Sequence, residues 1–308
     1  MLAGFWQSAG GKLLDRYAAV SAPALVFWLG ALLAWIAGHH GLGRLNTITS
    51  WLNRQSSPVQ LIAIALVLVA LLASVLVVQR LTLPVLRALE GYWPRRLDGL
   101  RRRLVEHTAD RLHAPEARWQ ELYPRVQPPQ TPTWAELTEF TRLDRARRRR
   151  PTDPNRLMPT RIGNILRAAE IRPNDHYGLD AVIVWPHLWL LLPDSARQEL
   201  AASRASLDAA VASTIWGLLF CVFAVWTLWA IPAGLLVCLG AVRWWAPERA
   251  ATFGELFSSA YDLYRTSLYQ QLRWPLPTNP SLEPEQGREI TAYLWRGSDD
   301  TEPTFVVP

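Results

Sequence analysis

Two groups of side chains in the sequence have residue types and spacings that could support chemistry. Glu106, Asp110 and His113 stand at positions i, i+4 and i+7, so a helix would bring three potential metal ligands onto one face. The alternative is a surface helix on which these charges and Arg103 form weak ion pairs. The sequence leaves this metal site open, and we assign no metal ligand.

Asp175, His176, Tyr177 and Asp180 form the second group, around a Tyr-Gly-Leu-Asp segment, and could supply acid and base groups. No nucleophile motif accompanies them, and the sequence contains no Gly-rich phosphate loop, GxSxG or HExxH motif. The alternative is that they are turn residues that hold a buried corner. We assign no catalytic residue and no cofactor, and the sequence favours a non-enzymatic protein.

Long blocks without charge indicate that the chain crosses a membrane. Positions 22–38 and 58–78 contain no charged side chain, and about 20 helical residues cross a hydrocarbon core about 30 Å thick. A third block between Asp208 and Arg243 holds 34 uncharged residues, which is too long for one upright helix. We predict two crossings in this block, with one long tilted helix as the alternative.

Pro232 and Gly234 lie near the middle of the third block and are predicted to form its hairpin turn, because proline can start the second helix. The predicted fold class is mainly α: an integral membrane protein with four transmembrane helices as two hairpins plus a helical cytoplasmic domain. Both cysteines of the chain lie in the same apolar block and act as small hydrophobic residues. The sequence offers no disulfide framework.

The placement of basic residues predicts the orientation. Arg80 and Arg87 follow the second span, whereas Arg44 and Arg54 are the only basic residues in the loop between the first two spans. Since cytoplasmic flanks gather positive charge, both termini and the middle region are predicted to be cytoplasmic. Only Lys12 among the 32 basic residues is a lysine, a composition typical of GC-rich bacterial genomes, so we expect a bacterial inner membrane protein.

Five segments follow from these spans. They are an N-terminal cytoplasmic arm (1–21), a first transmembrane hairpin (22–80), a basic cytoplasmic domain (81–207), a second transmembrane hairpin (208–246) and a cytoplasmic amphipathic tail (247–308). The tail carries an aromatic stripe at helical spacing, which favours a packing surface: Phe253, Phe257, Tyr261 and Tyr264, followed by Leu268. The tail is acidic where the middle domain is basic. We therefore expect the tail to dock on the middle domain.

Gly30, Ala34 and Gly38 form a ridge of small residues in the first span, because their spacing of four places them on one helical face. Such a ridge lets the backbone of another helix approach closely. It can pack the helices of one chain together or join subunits, and the sequence does not separate these two roles.

The densest run of positive charge contains Arg145, Arg147, Arg148, Arg149 and Arg150. Near a membrane surface each arginine could contribute about 1 kcal/mol of attraction to anionic lipid headgroups. A solvated loop without a partner and a nucleic-acid surface are the alternatives. The run has no interleaved aromatic residues to stack on bases, which argues against nucleic acid. The predicted partners are the lipid bilayer, its anionic headgroups, and either further copies of the chain or another protein.

Local signals also predict elements of the middle region. Thr133 begins a capping box for a short helix, and Thr160 can cap a second helix that starts at the next residue. The β-branched run 182–184 predicts an extended, buried segment, and the prolines and tryptophans of 185–193 indicate core or membrane interface.

Four stretches resemble a family of uncharacterised bacterial multi-spanning membrane proteins: "RIGNILRAAE" (161–170), "YGLDAVIVWPHLWLLLPD" (177–194), and the "LYQQLRWPLP" and "ITAYLWRG" of the tail. The resemblance covers roughly the second half of the chain. It implies an integral membrane protein, and it implies no activity and no functional residue.

The sequence favours an oligomeric channel or membrane effector with a cytoplasmic regulatory domain. No Asp, Glu, Lys, Arg or His falls at membrane depth in the predicted spans, which argues against a proton relay there. A membrane scaffold or sensor subunit that recruits a soluble partner is the alternative, and a membrane-bound enzyme is the second alternative.

Overall fold

The computed structural model describes residues 13–38, 43, 50–51 and 53–298, with side chains from residue 23 onward. Residues 1–12 of the predicted N-terminal arm, with Lys12, and residues 299–308 of the tail lie outside this part. The described residues are mainly α-helical and contain no strand. The ten helices named here are α1 (Leu13–Gly38), α2 (Ser57–Glu90), α3 (Asp98–Val126), α4 (Trp134–Arg148), α5 (Arg161–Tyr177), α6 (Ala181–Leu191), α7 (Asp194–Phe220), α8 (Ala230–Gly240), α9 (Ala246–Gln271) and α10 (Glu283–Arg296).

The chain divides into two compact units. The apolar unit contains the described residues of 8–86 and 205–249, and the helical unit contains 87–204 and the described residues of 250–308. The charged side chains are concentrated in the helical unit, as expected if only the apolar unit faces lipid.

Among the described residues, three helical stretches are long and apolar enough to cross a membrane: those that contain α2, α7 and α8. The apolar part of α1, Pro23–Gly38, is shorter. Large side chains of α2 are widely exposed; Leu61, for example, is 67% exposed and Leu66 is 63% exposed. Such exposure of apolar area is costly in water and costs nothing in lipid, so these helices are consistent with a membrane protein.

The small-residue ridge of α1 lies against other parts of the apolar unit. A side-chain carbon at Gly30 would lie 2.7 Å from the ring of Phe220, and one at Gly38 would overlap the carbonyl oxygen of Trp226. Ala34 between them is buried. Small side chains at this face therefore allow close packing inside the chain.

Helix α8 lies close to α7 at two glycines. A side-chain carbon at Gly217 would lie 2.8 Å from the carbonyl oxygen of Gly234, and one at Gly234 would overlap the carbonyl oxygen of Gly217. The chain turns at 226–229, and Pro232 lies in the first turn of α8. Gly234 is thus placed at the contact between the two helices, beyond the turn itself.

The capping signals of the helical unit are confirmed. The Thr133 hydroxyl accepts a hydrogen bond from the Glu136 amide, and the Glu136 carboxylate accepts one from the Thr133 amide, which completes a capping box at the start of α4. The Thr160 hydroxyl accepts from the Gly163 amide (2.9 Å) at the start of α5. Both caps satisfy amides that a helix start leaves without intrahelical partners.

The expectation of an extended segment at 182–184 is wrong, because these residues form the first turn of α6. Asp180 caps this helix: its carboxylate accepts hydrogen bonds from the amides of Val182 (2.8 Å) and Ile183 (3.4 Å). A helix also directs Trp185 fully into the core. Capping and burial together override the modest strand preference of the β-branched side chains.

The core of the helical unit is built on Trp185, which contacts Phe257 at 4.4 Å and Tyr261 at 5.8 Å between ring centres. Phe257 and Tyr261 belong to the predicted aromatic stripe of the tail and are fully buried. The stripe therefore serves as a packing surface between α9 and α6. Helix α10 packs on α5 and α6.

Candidate anion-binding groove

Helices α3 and α4 pack against each other through aromatic rings and an ion pair. Trp119 and Phe140 are stacked with ring centres 6.0 Å apart, and Arg118 donates to Glu139 at 2.8 Å. The hydrogen bonds from Arg118 lower the pKa of the Glu139 carboxyl, so that it is ionised at neutral pH. These contacts fix α4 alongside α3.

The end of α4 is attached to α3 by a second carboxylate. Arg147 Nε lies 3.0 Å from Glu116 Oε1, and Arg150 Nη2 lies 2.8 Å from Glu116 Oε2. The Arg147 guanidinium also lies 4.2 Å above the ring centre of Trp119, an attractive geometry for a cation. Burial lowers the pKa of Arg150, opposed by the Glu116 carboxylate. Glu116 thus contacts two members of the predicted arginine run, and its single negative charge offsets one of their two positive charges.

A cavity of about 910 Å³ lies among α3, α4 and the start of α5, and we call it the basic groove. Its basic lining residues are His107, Arg111, Arg142, Arg145, Arg149, Arg150 and Arg161. Its apolar lining residues are Leu112, Trp134, Leu137, Ala146, Pro159 and Ile165. No Asp or Glu of the described residues lines it. The groove is therefore strongly positive and can attract anions.

The structure separates the members of the predicted headgroup-binding run. Arg145, Arg149 and Arg150 line the basic groove. Arg147 is directed to Glu116, and Arg148, whose side chain is 74% exposed, pairs with Asp144 at 2.8 Å. The run is therefore not a uniform positive surface, and only part of it is available to a ligand in the groove.

The basic groove is also lined by basic side chains that lie outside the contiguous arginine run of the sequence. His107 and Arg111 from α3 and Arg142 from α4 face the same cavity as Arg145. Arg142 and Arg145 are three residues apart and so share a helical face, which is the one signal in the sequence that could have paired them. The contribution of α3 depends on how the two helices pack.

The third side of the groove is the start of α5 and the segment before it, and the buried side chain of Asn164 stabilises this segment. Its Oδ1 accepts from the Met158 amide (2.9 Å), and its Nδ2 donates to the carbonyl oxygens of Met158 (2.8 Å) and Thr160 (2.9 Å). One side chain thereby satisfies the backbone of the segment that leads into α5.

Replacing Asn164 by alanine should destabilise this segment by about 2 kcal/mol, because buried backbone groups of Met158 lose their partners. Amide hydrogen exchange of 157–165 in the full chain measures the effect as faster exchange. Asn174→Ala is the matched control, since Asn174 is exposed on the same helix; it should change protection by less than about 0.5 kcal/mol. Equal exchange in the two variants would contradict the role of Asn164.

The two groups of side chains that could support chemistry, those around Glu106 and Asp175, do not line the basic groove. Glu106, Asp110 and His113 are exposed on α3, and among the described residues no three His, Cys, Asp or Glu side chains are grouped to hold a metal ion. The metal arrangement left open by the sequence is therefore not assembled in this part of the chain.

Asp175, Tyr177 and Asp180 each have a structural partner. Arg156 donates to Asp175 at 2.9 Å, the Tyr177 hydroxyl donates to Asp262 at 2.7 Å, and Asp180 caps α6. Burial, together with the hydrogen bond to Asp262, raises the pKa of Tyr177 to about 12. The phenol is therefore protonated at neutral pH, a state suited to donating this bond.

No known protein family, characterised protein or solved structure matches the chain.

Proposed function

We propose that the protein is a non-enzymatic membrane effector whose apolar unit crosses the bilayer and whose helical unit is a cytoplasmic regulatory domain. In this proposal α1, α2, α7 and α8 form two transmembrane hairpins in a bacterial inner membrane. The exposed apolar side chains of α2 support lipid contact. The arginines that follow the second span support the cytoplasmic placement.

The observation that carries the regulatory part of the proposal is the basic groove. A large cavity lined by cations and by no acidic residue of the described chain is suited to an anionic ligand. The effector itself is proposed to be a channel formed by several copies, because four helices from one chain leave little room for a conduit.

A scaffold that recruits a soluble partner is the second candidate function. Two large apolar side chains of the helical unit, Leu263 and Trp295, are 70% and 72% exposed. Exposed apolar residues of this size favour protein contacts when they form a patch. Binding of a partner that depends on these two residues, with no flux through the membrane, would support the scaffold over the channel.

Flux from dye-loaded liposomes that contain the full chain tests the channel. We expect release that rises more steeply than linearly with the protein-to-lipid ratio, because several copies must assemble. Gly234→Val should abolish release, since a side chain there overlaps Gly217 and Cys221. Gly240→Val is the matched control: it lies at the end of the same helix, where a side-chain carbon has its nearest neighbour at 4.0 Å, and should retain release.

Absence of flux from inserted, folded and strictly monomeric protein would contradict the channel. Equal release by the two glycine variants would also contradict it, since a specific pathway depends on how α7 and α8 pack. Non-specific leakage through a perturbed bilayer would not distinguish the two positions.

A further inference from the structure

We propose that the basic groove binds a phosphomonoester whose organic part lies against the apolar wall of the groove. This inference deepens the proposed function, because it names the ligand class of the regulatory unit. It rests on the charge, the contacts and the size of the groove.

Three arginines provide the recognition: Arg111 from α3, and Arg142 and Arg145 from α4. Among the described residues no carboxylate lies within 4.0 Å of any of them. The Glu139 carboxylate interacts with Arg142 over a longer distance, and no described carboxylate lines the cavity that the three arginines share. Like charges that face one cavity repel each other. An anion between them removes this repulsion and gains charge-assisted hydrogen bonds.

Other arginines of the same run lie against carboxylates, including Arg150, which also lines the groove. Arg147 and Arg150 share the Glu116 carboxylate, and Arg148 pairs with Asp144. Attraction to a membrane by overall charge gives no reason to pair some arginines of this run with carboxylates and to leave Arg142 and Arg145 without a carboxylate in direct contact. The pairing pattern therefore favours a defined ligand in the groove over diffuse attraction.

The number of arginines favours a phosphomonoester over a carboxylate or a phosphodiester. A phosphomonoester carries about −1.5 to −2 charges at pH 7 and three terminal oxygens that accept hydrogen bonds. A carboxylate or a phosphodiester carries a single charge. Guanidinium groups bind such oxygens through paired N–H donors, so three of them match the monoester better in charge and in donors.

The hydroxyls of two threonines that line the groove do not donate hydrogen bonds to the phosphate. The hydroxyls of Thr138 and Thr141 donate to the carbonyl oxygens of Trp134 and Leu137 in their own helix, each at 2.8 Å. Their hydrogens are therefore directed away from a ligand. Recognition of the phosphate then depends on the arginines.

The size of the groove indicates that the phosphate carries an organic group. About 910 Å³ is far larger than a phosphate ion and falls in the range of sites for small organic ligands. Leu112 and Leu137 line it, and Trp134, 82% exposed, provides an accessible ring. An apolar body can cover these side chains while the phosphate contacts the arginines.

Calorimetric titration of the full chain in a neutral detergent tests the inference. The probes are dihexanoyl phosphatidic acid, a lipid monoester, and phenyl phosphate, a soluble one. We expect saturable binding of at least one of them, weakened about tenfold or more by R111Q/R145Q, because two charge-assisted contacts are lost. Dihexanoyl phosphatidylglycerol, a diester, should bind less tightly than phosphatidic acid.

The matched control is R125Q/R148Q, which removes two charges from the same two helices outside the groove, where both arginines are paired to carboxylates. It should change affinity by less than about twofold. Binding of phosphatidic acid alone would show that the ligand is a lipid, and binding of phenyl phosphate would show that it is a soluble compound. Either result supports binding of a phosphomonoester in the groove.

No binding of either monoester by folded protein would overturn the proposal, as would equal weakening by the two double variants or equally tight binding of the diester. Circular dichroism establishes that each variant is folded. Binding in detergent is independent of flux, so vesicles that do not leak would contradict only the proposed channel and leave the ligand assignment standing.

Discussion

Replacing Gly287 by alanine should undock α10 from the helical unit. A side-chain carbon at Gly287 would lie 2.9 Å from the carbonyl carbon of Tyr177, 3.1 Å from that of Gly178, and closer still to the Tyr177 oxygen. These are backbone atoms of α5 and its cap, which cannot rotate away as a side chain can. We expect a loss of about 3 kcal/mol in the docking of α10, at the upper end of the range for overpacking.

Gly178, at the end of α5, is equally close to the backbone of α10. Gly178 has a φ of 70°, in the left-handed region, and a side-chain carbon there would overlap the carbonyl oxygen of Pro284 in α10. It also caps α5 by donating to the Asn174 carbonyl oxygen at 2.9 Å. Two glycines on facing elements thus allow a backbone-to-backbone approach that no other residue pair would permit.

Amide hydrogen exchange of 283–296 in the full chain measures this undocking. A loss of about 3 kcal/mol corresponds to more than a hundredfold faster exchange where opening is at equilibrium. Gly99→Ala is the matched control, since it makes the same change in a helix with no atom within 4 Å of the new carbon. It should leave protection unchanged or slightly higher. Unchanged exchange in Gly287→Ala would refute the tight crossing.

Features fixed by neighbouring residues could be predicted from the sequence. The capping box at Thr133 and the cap at Thr160 need only residues within one turn, so their patterns are visible in the chain. The long uncharged blocks likewise indicate apolar helices, because the cost of exposing them to water depends on composition alone.

Features that depend on two distant elements could not be predicted in this way. The β-branched residues 182–184 predicted an extended segment, and this prediction is wrong because the burial of Trp185 against α9 favours a helix there. Arg111 and Arg145 are far apart in sequence and share a cavity only because α3 and α4 pack together. Gly178 at the end of α5 and Gly287 in α10 give no local signal in the sequence, since each is required only because the backbone of the other element lies against it.

Replacing Glu283 by glutamine should produce the second large loss, because it leaves a partly buried cation without its counter-ion. Arg265 Nε lies 2.6 Å from Glu283 Oε1; the side chains of Arg265 and Glu283 are 19% and 7% exposed. The Arg265 guanidinium also lies 4.0 Å above the ring centre of Tyr177. The pair thus connects α9, α10 and α5. Removing one partner of a buried pair costs about 3 to 5 kcal/mol, and we expect the lower end because Arg265 keeps some contact with water.

The loss should come from the unpaired charge and not from the missing attraction, and a double variant separates these causes. Arg265→Met with Glu283→Leu removes both charges and should lose less stability than Glu283→Gln alone, since apolar side chains can replace a buried ion pair at little cost. Glu285→Gln, exposed in the first turn of α10, should lose less than about 1 kcal/mol through the helix dipole. Hydrogen exchange of 283–296 reports all three variants. If the double variant loses as much as Glu283→Gln, the attraction itself holds α10 in place and the charge-burial argument is wrong.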